Sequence, residues 1–240
     1  MNSHRLVAHR GDNTNYPENS YAGIEAALMA GAKYIEFDIQ MNADESLVVI
    51  HDTNLKRTAN LDKSLFELSD ETLKAISVHE PRRFAEQHYP THVPHLQEIL
   101  HLLKRYPQAQ AFVEIKVESL KHWGLEKVMD KLIHQLKDYA PQVTIISFSE
   151  KALSYAKQHS HLRLGYVFRK YREKTRVKVT NLQPDFLICS KVIVPSQGLW
   201  QGNWQWMIYS INKVKKMQIL LQREDIQLFE TDNIQLMLNA

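Results

Sequence analysis

Tyr34-Ile35-Glu36-Phe37-Asp38-Ile39-Gln40 reads as a strand, and after Asn42-Ala43-Asp44-Glu45-Ser46 the chain resumes with a second strand-like run, Leu47-Val48-Val49-Ile50-His51. The gap is too short for a parallel crossover, which takes about a dozen residues, so the two runs form an antiparallel hairpin. A turn near residue 44 pairs positions whose numbers sum to about 88, which sets His51 opposite Phe37 and Asp52 opposite Glu36. The hairpin matters because it removes its returning arm from the count of parallel strands.

Other short apolar runs are Leu6 to His9, Phe112 to Lys116, Thr144 to Phe148, Arg163 to Phe168, Phe186 to Ser190, Met207 to Ile211 and Leu228 to Thr231. With the hairpin they make nine strands, of which eight are parallel. Stretches of helical period separate most of them. Tyr21, Ile24 and Leu28 follow a Ser20 cap and end at Gly31. Leu96, Ile99, Leu100 and Leu103 follow Pro94; Leu125, Val128, Met129, Leu132, Ile133 and Leu136 repeat the pattern, as do Val214, Met217 and Leu221. The connection from Arg169 to Asp185 has a poor helical period. Eight βα units in 240 residues predict an α/β fold, a (β/α)8 TIM barrel, spanning residues 1–240 as a single domain. Residues 53–93, charged and rich in histidine with a short helix after Ser69, fit no βα unit and read as an insertion following the hairpin.

The composition, 44% hydrophobic and 24% charged, is that of a chain with a sizeable core. A formal charge of +3, from 30 basic and 27 acidic residues, is too even for a nucleic-acid binder. Seven glycines leave no glycine-rich phosphate loop. The single cysteine, Cys189, lies in an apolar run and reads as a buried thiol. No run approaches signal-peptide or membrane-span length, so a soluble cytoplasmic protein is expected.

In the first strand of the hairpin, Glu36 and Asp38 are two apart and share one face, while Ile35, Phe37 and Ile39 share the other. The apolar face meets the helices, so both acids point into the barrel, where an ionised carboxylate is costly unless paired or bound to metal. Glu114 and Lys116 repeat the spacing on the next parallel strand. Three inward acids, Glu36, Asp38 and Glu114, make a hard-oxygen site suited to Mg2+ or Ca2+; alternatively, Lys116 and Arg10 neutralise them as buried ion pairs. The hairpin returns His51 to the level of the acids, and His9 closes the first strand at the barrel's C-terminal face. Two histidines flanking a metal can act as general acid and base on a phosphate ester, with Arg10 and Lys116 binding phosphate. The other ten histidines read as surface or packing residues.

His9-Arg10-Gly11, Pro17-Glu18-Asn19-Ser20, Glu36-Phe37-Asp38, His51-Asp52 with Leu55-Lys56-Arg57-Thr58, and Glu114-Ile115-Lys116 resemble, in order and spacing, the glycerophosphodiester phosphodiesterase family of cytosolic bacterial type. Weaker likeness runs through Val93-Pro94-His95-Leu96-Gln97-Glu98, Ile146-Ser147-Phe148 and Thr231-Asp232, so it covers nearly the whole chain. The resemblance implies a (β/α)8 barrel with an insertion after the His-Asp strand. It implies metal binding by Glu36, Asp38 and Glu114, acid and base roles for His9 and His51, and phosphate contacts from Arg10 and Lys116. The implied products are sn-glycerol 3-phosphate and an alcohol. This chain departs from the family pattern at Tyr209-Ser210-Ile211-Asn212, where the family usually has Trp-Thr-Val-Asn, and at Asp225 to Glu230, which replaces a glycine-rich approach to the last Thr-Asp. Tyr209 could shape the alcohol or glycerol pocket, or simply pack inside the barrel.

Competing readings are a lysophospholipase D or sphingomyelinase D activity, which needs an exposed apolar rim such as Trp200, Trp204 and Trp206 could form, and a non-catalytic binding module of the same fold. The expected partner is a small glycerophosphodiester.

Overall fold

The computed structural model describes residues 3–240. Its strands are Leu6–His9 (β1), Tyr34–Met41 (β2), Leu47–Val49 (β3), Gln110–Ile115 (β4), Val143–Ser147 (β5), Arg163–Phe168 (β6), Phe186–Ser190 (β7), Gln205–Tyr209 (β8) and Leu228–Thr231 (β9). They run in the order β1-β9-β8-β7-β6-β5-β4-β2-β3, and β1 also pairs with β2. That last pairing closes eight parallel strands into a TIM barrel, with β3 lying antiparallel outside β2. Ile39 faces Val49 and Gln40 faces Val48, the register expected from the turn, and the Ile50 amide continues it to the Asp38 carbonyl at 3.0 Å. The regular strand stops at Val49, whose amide points away from β2 by alternation and bonds to Pro94 O at 2.8 Å, while Val48 bridges to His95.

The helices form where the period placed them. Ser20 Oγ accepts from the Gly23 amide at the start of the helix Tyr21–Met29. Gly31, at φ 93°, ends it: its amide reaches Leu28 O, and that of Ala32 reaches Ala27 O, the paired bonds of a Schellman turn. Leu96, Ile99, Leu100 and Leu103 of the helix Leu96–Lys104 are fully buried. The connection of poor period also holds a helix, Glu173–Leu182, which buries only Thr175, Val179 and Leu182 and so left little pattern to read. β8 begins and ends two residues earlier than expected, since the Gln205 amide already bonds to Asp185 O.

Alternation along the strands divides the core in two. Ile35, Phe37 and Ile39 face the helices in the larger cluster, whereas Val7, Phe112, Ile146, Val167, Phe186 and Met207 fill the barrel interior. Two residues further along the same inward faces come His9, Glu36 with Asp38, Glu114 and Glu230, so the apolar floor gives way to a charged mouth at the strands' C-terminal ends. Residues of the insertion pack on the outer side of the hairpin around Val48, Ile50, Leu55, Leu65, Leu68 and Leu73, a core of their own. Cys189 is buried, and burial raises its thiol to about 12. No helix among the described residues is long and apolar enough to cross a membrane.

Gly165 points into the filled interior: a Cβ there would lie 2.8 Å from Ile146 Cγ2 and 3.1 Å from Ile188 Cδ1. Gly165→Ala is therefore expected to lower the unfolding free energy by about 1–3 kcal/mol, the usual cost of overpacking, read from the urea midpoint; an unchanged midpoint would contradict this packing.

Candidate active site

β2 carries Glu36 and Asp38 inward and β4 sets Glu114 level with Asp38, so one oxygen from each of the three acids lies within 4.8 Å of the others. Glu36 and Asp38 are almost fully buried. Their field is uneven. Burial works against ionisation of Asp38, but Arg10 and Lys116 overcome it and hold the carboxyl well below its usual range. Glu36, by contrast, is pushed well above its range by burial and by Asp38, and Glu114 is raised for the same two reasons. A divalent cation among three such oxygens would offset the mutual repulsion, and the hard-oxygen donor set fits Mg2+ or Ca2+.

Lys116 follows β4 as the cap residue of the helix Val117–Trp123, its amide held by Ile39 O at 3.1 Å. Its ammonium lies 2.8 Å from Glu114 Oε1 and 3.3 Å from Asp38 Oδ1. Arg10 comes from the loop after β1, where Arg10 and Gly11 both take positive φ, 57° and 83°. Gly11 is required there twice over, because a Cβ would also lie 2.7 Å from the Gly23 carbonyl carbon. Arg10 Nη1 donates to Glu18 at 3.1 Å, while its Nε sits 3.0 Å from Asp38 Oδ2 as a charge contact without hydrogen-bond alignment. The two cations thus pair with the acids, as one of the two sequence readings had it, and stand beside the potential cation site of the other.

Each histidine is held by a carboxylate of its own. His9 Nδ1 meets Asp232 Oδ1 at 2.5 Å and His51 Nδ1 meets Asp52 Oδ1 at 2.6 Å; an ionised carboxylate only accepts, so Nδ1 carries the hydrogen in both. That leaves Nε2 of each ring free for proton transfer. His9 Nε2 lies 4.0 Å from Glu36 Oε2. Burial disfavours the His9 imidazolium, yet Glu230, the hydrogen bond to Asp232 and Glu36 together raise its pKa to about 10.

Glu230, buried on β9, was not recognised from the sequence. It forms a second group of possible ligands with His9 and Glu36, and burial raises it to about 7. The signal was available: Leu228 and Glu230 alternate inward as Glu36 and Asp38 do. Asp52, Glu18, Asn19, Arg57 and Asn212 were visible only as parts of motifs. Asn19 exchanges two hydrogen bonds with Asp38, at 2.9 and 3.0 Å. Asn212 Oδ1 accepts from the Asp232 amide at 2.9 Å. Arg57, from the insertion, bridges Asp52 at 2.7 Å and Glu18 at 2.6 Å. Tyr209 packs against the interior cluster, and burial raises its hydroxyl to about 12. Trp206 is buried, and Trp200 stacks on Tyr171 with ring centroids 3.9 Å apart, so these two tryptophans do not form an exposed rim. A cleft of about 720 Å3 opens beside His51, Glu114 and Lys116.

Known proteins share both sequence and shape with this chain. Residues 9–233 match the Glycerophosphoryl diester phosphodiesterase family. A glycerophosphodiester phosphodiesterase from Caldanaerobacter subterraneus subsp. tengcongensis is 32% identical over 167 residues, 68% of this chain and 66% of the relative. One from Bacillus altitudinis is 33% identical over 164 residues, 67% of this chain and 65% of the relative, so the matches span just under two thirds of these relatives' length. A phosphodiesterase from Oleispira antarctica, solved in complex with the product sn-glycerol-3-phosphate, superposes with a TM-score of 0.87 at 22% identity, over 98% of this chain and 95% of that one.

The His9 environment carries a pH signature. Its folded pKa of about 10 exceeds the ordinary 6.5, so in metal-free protein its contribution to stability is complete below pH 6.5 and is lost as pH rises through about 10. The urea midpoint is expected to fall across that window, and to fall less in Asp232→Asn, which removes the hydrogen-bonded partner; equal slopes in the two proteins would contradict the pairing.

Proposed function

The chain belongs to the glycerophosphoryl diester phosphodiesterase family, and on that premise we propose that it hydrolyses glycerophosphodiesters to sn-glycerol 3-phosphate and an alcohol. The observation that carries this reading is the convergence of two carboxylate-held histidines on one cluster of three acids and two cations. Residues 1–240, insertion included, act as one catalytic unit.

Glu36, Asp38 and Glu114 would hold the divalent ion, Mg2+ or Ca2+. When bound, it would supply positive charge for the non-bridging phosphate oxygens. Arg10 and Lys116 add fixed positive charge beside it, which favours a phosphodiester over neutral esters and stabilises charge that grows on the phosphoryl oxygens. His9 and His51 divide the proton work. One Nε2 takes the proton of the attacking hydroxyl, and the other gives a proton to the departing alkoxide. Asp232 and Asp52 fix the rings with Nε2 directed at the substrate and stabilise whichever imidazole is charged. An acyl-chain substrate is less well served, since Trp200 and Trp206 are occupied in packing and the cleft beside His51 is lined by Lys56, Glu118, Lys121 and Arg169.

Glycerol 3-phosphate release from glycerophosphocholine and glycerophosphoethanolamine is expected with Mg2+ or Ca2+ and is expected to stop with EDTA. His51→Ala should lower kcat by about 10²–10⁴-fold, the usual worth of a general acid or base. Release that survives EDTA, or a mutant that turns over normally, would overturn the mechanism; turnover of lysophosphatidylcholine alone would move the activity to the lipid-active class.

A further inference from the structure

The cleft beside the site has an electrostatic character that the hydrolysis itself does not use. It is lined by side chains from the loops after β4, β5 and β6 and from the insertion. Two of its cations are already committed: Lys116 to Glu114 and Asp38, and Arg57 to Asp52 and Glu18. Three others, Lys56, Lys121 and Arg169, make no ion pair among the described residues, and against them stands a single unpaired acid, Glu118, one helical turn before Lys121. The cleft is therefore electropositive beyond its catalytic end.

Its aromatic content points the same way. Phe148 is the one phenyl ring in the lining, and the Arg169 guanidinium already lies over its face, 4.8 Å from the centroid. A trimethylammonium group is ordinarily recognised by free aromatic faces. Here it would meet an occupied ring and three free cations. At about 720 Å3 the cleft is also larger than a glycerol moiety needs.

Resting on the hydrolase reading above, we propose that this cleft is a subsite for the leaving alcohol, and that it selects glycerophosphodiesters whose alcohol carries a further negative charge, in particular a second phosphate. Lys56, Lys121 and Arg169 bind that charge, and Phe148 holds the Arg169 fork in place. Water adds across the scissile P–O bond: its hydroxyl stays on phosphorus, its hydrogen ends on the departing oxygen, and the second phosphate leaves unchanged with the alcohol.

The test compares kcat/KM, with saturating Mg2+ or Ca2+, for bis(glycerophospho)glycerol, glycerophosphoglycerol and glycerophosphocholine on the wild type and on Lys121→Gln/Arg169→Gln. In the wild type at low ionic strength, the phosphate-bearing diester is expected to exceed the choline diester by about tenfold or more, beyond the factor of two from its two equivalent ends, and the advantage should shrink in about 0.5 M NaCl, where exposed charges are screened. In the double variant, which keeps only Lys56 of the three, the ratio of bis(glycerophospho)glycerol to glycerophosphoglycerol should fall several-fold toward that statistical factor. Taking both rates on the same variant keeps the ratio independent of any loss of folded protein. Equal turnover of the choline diester, or a ratio unchanged in the variant, overturns the subsite while glycerol 3-phosphate release from glycerophosphoglycerol upholds the hydrolase. Failure of all three substrates overturns both.

Discussion

Three carboxylates buried together at the mouth of a barrel are the constraint around which this molecule is arranged. Placed on β2 and β4 by simple alternation, Glu36, Asp38 and Glu114 cannot all ionise at close range without cations nearby. The barrel interior beneath them is apolar and filled, so it offers no relief. Compensation comes from above, through Arg10 and Lys116, and a divalent cation in the proposed site would add to it. The divided response of the acids, with Asp38 held low and Glu36 and Glu114 driven up, is what two cations shared among three acids should produce.

From that constraint a connected network extends to both histidines. Asp38 contacts Arg10, Arg10 bonds Glu18, Glu18 bonds Arg57, and Arg57 bonds Asp52, which holds His51. The insertion is part of the same frame. Glu80 Oε1 accepts from the Glu18 amide at 2.7 Å, and Arg83 donates to Asn13 Oδ1 at 2.9 Å, so the β1 loop that presents Arg10 is braced from outside. The left-handed backbone at Arg10 is sustained by this bracing and by the Asp12 amide bonded to Gly23 O at 2.8 Å. On the opposite side, His9 depends on Asp232 and on Asn212, which fixes the Asp232 amide.

Much of this was legible because strands obey a strict period of two. The spacing of Glu36, Asp38 and Glu114, and the hairpin register that returns His51, required only alternation and the length of a turn. Glu230 obeys the same rule, but it is the only acid on β9, without the two-apart pairing that marks Glu36 and Asp38. The helix Glu173–Leu182 was obscure for a different reason: it buries few apolar residues, so its period is weak even though its position in the βα order is fixed. The partners of the histidines, and the bridge from Arg57 to Glu18, join residues 39 or more positions apart or lie in irregular loops, where no periodicity constrains side-chain direction. The unpaired cations of the cleft share this character, since they come from two βα connections and an insertion that only the closed barrel brings together.

On the proposed reading, the three acids form a cation site flanked by the two histidines. Calorimetric titration of Mg2+ and of Ca2+ into protein stripped with EDTA and dialysed, alongside Glu114→Gln, tests it most directly. One saturable site per chain is expected in the wild type, weakened by about tenfold or more in the variant. No saturable heat with either ion, or an affinity that Glu114→Gln leaves unchanged, would contradict it.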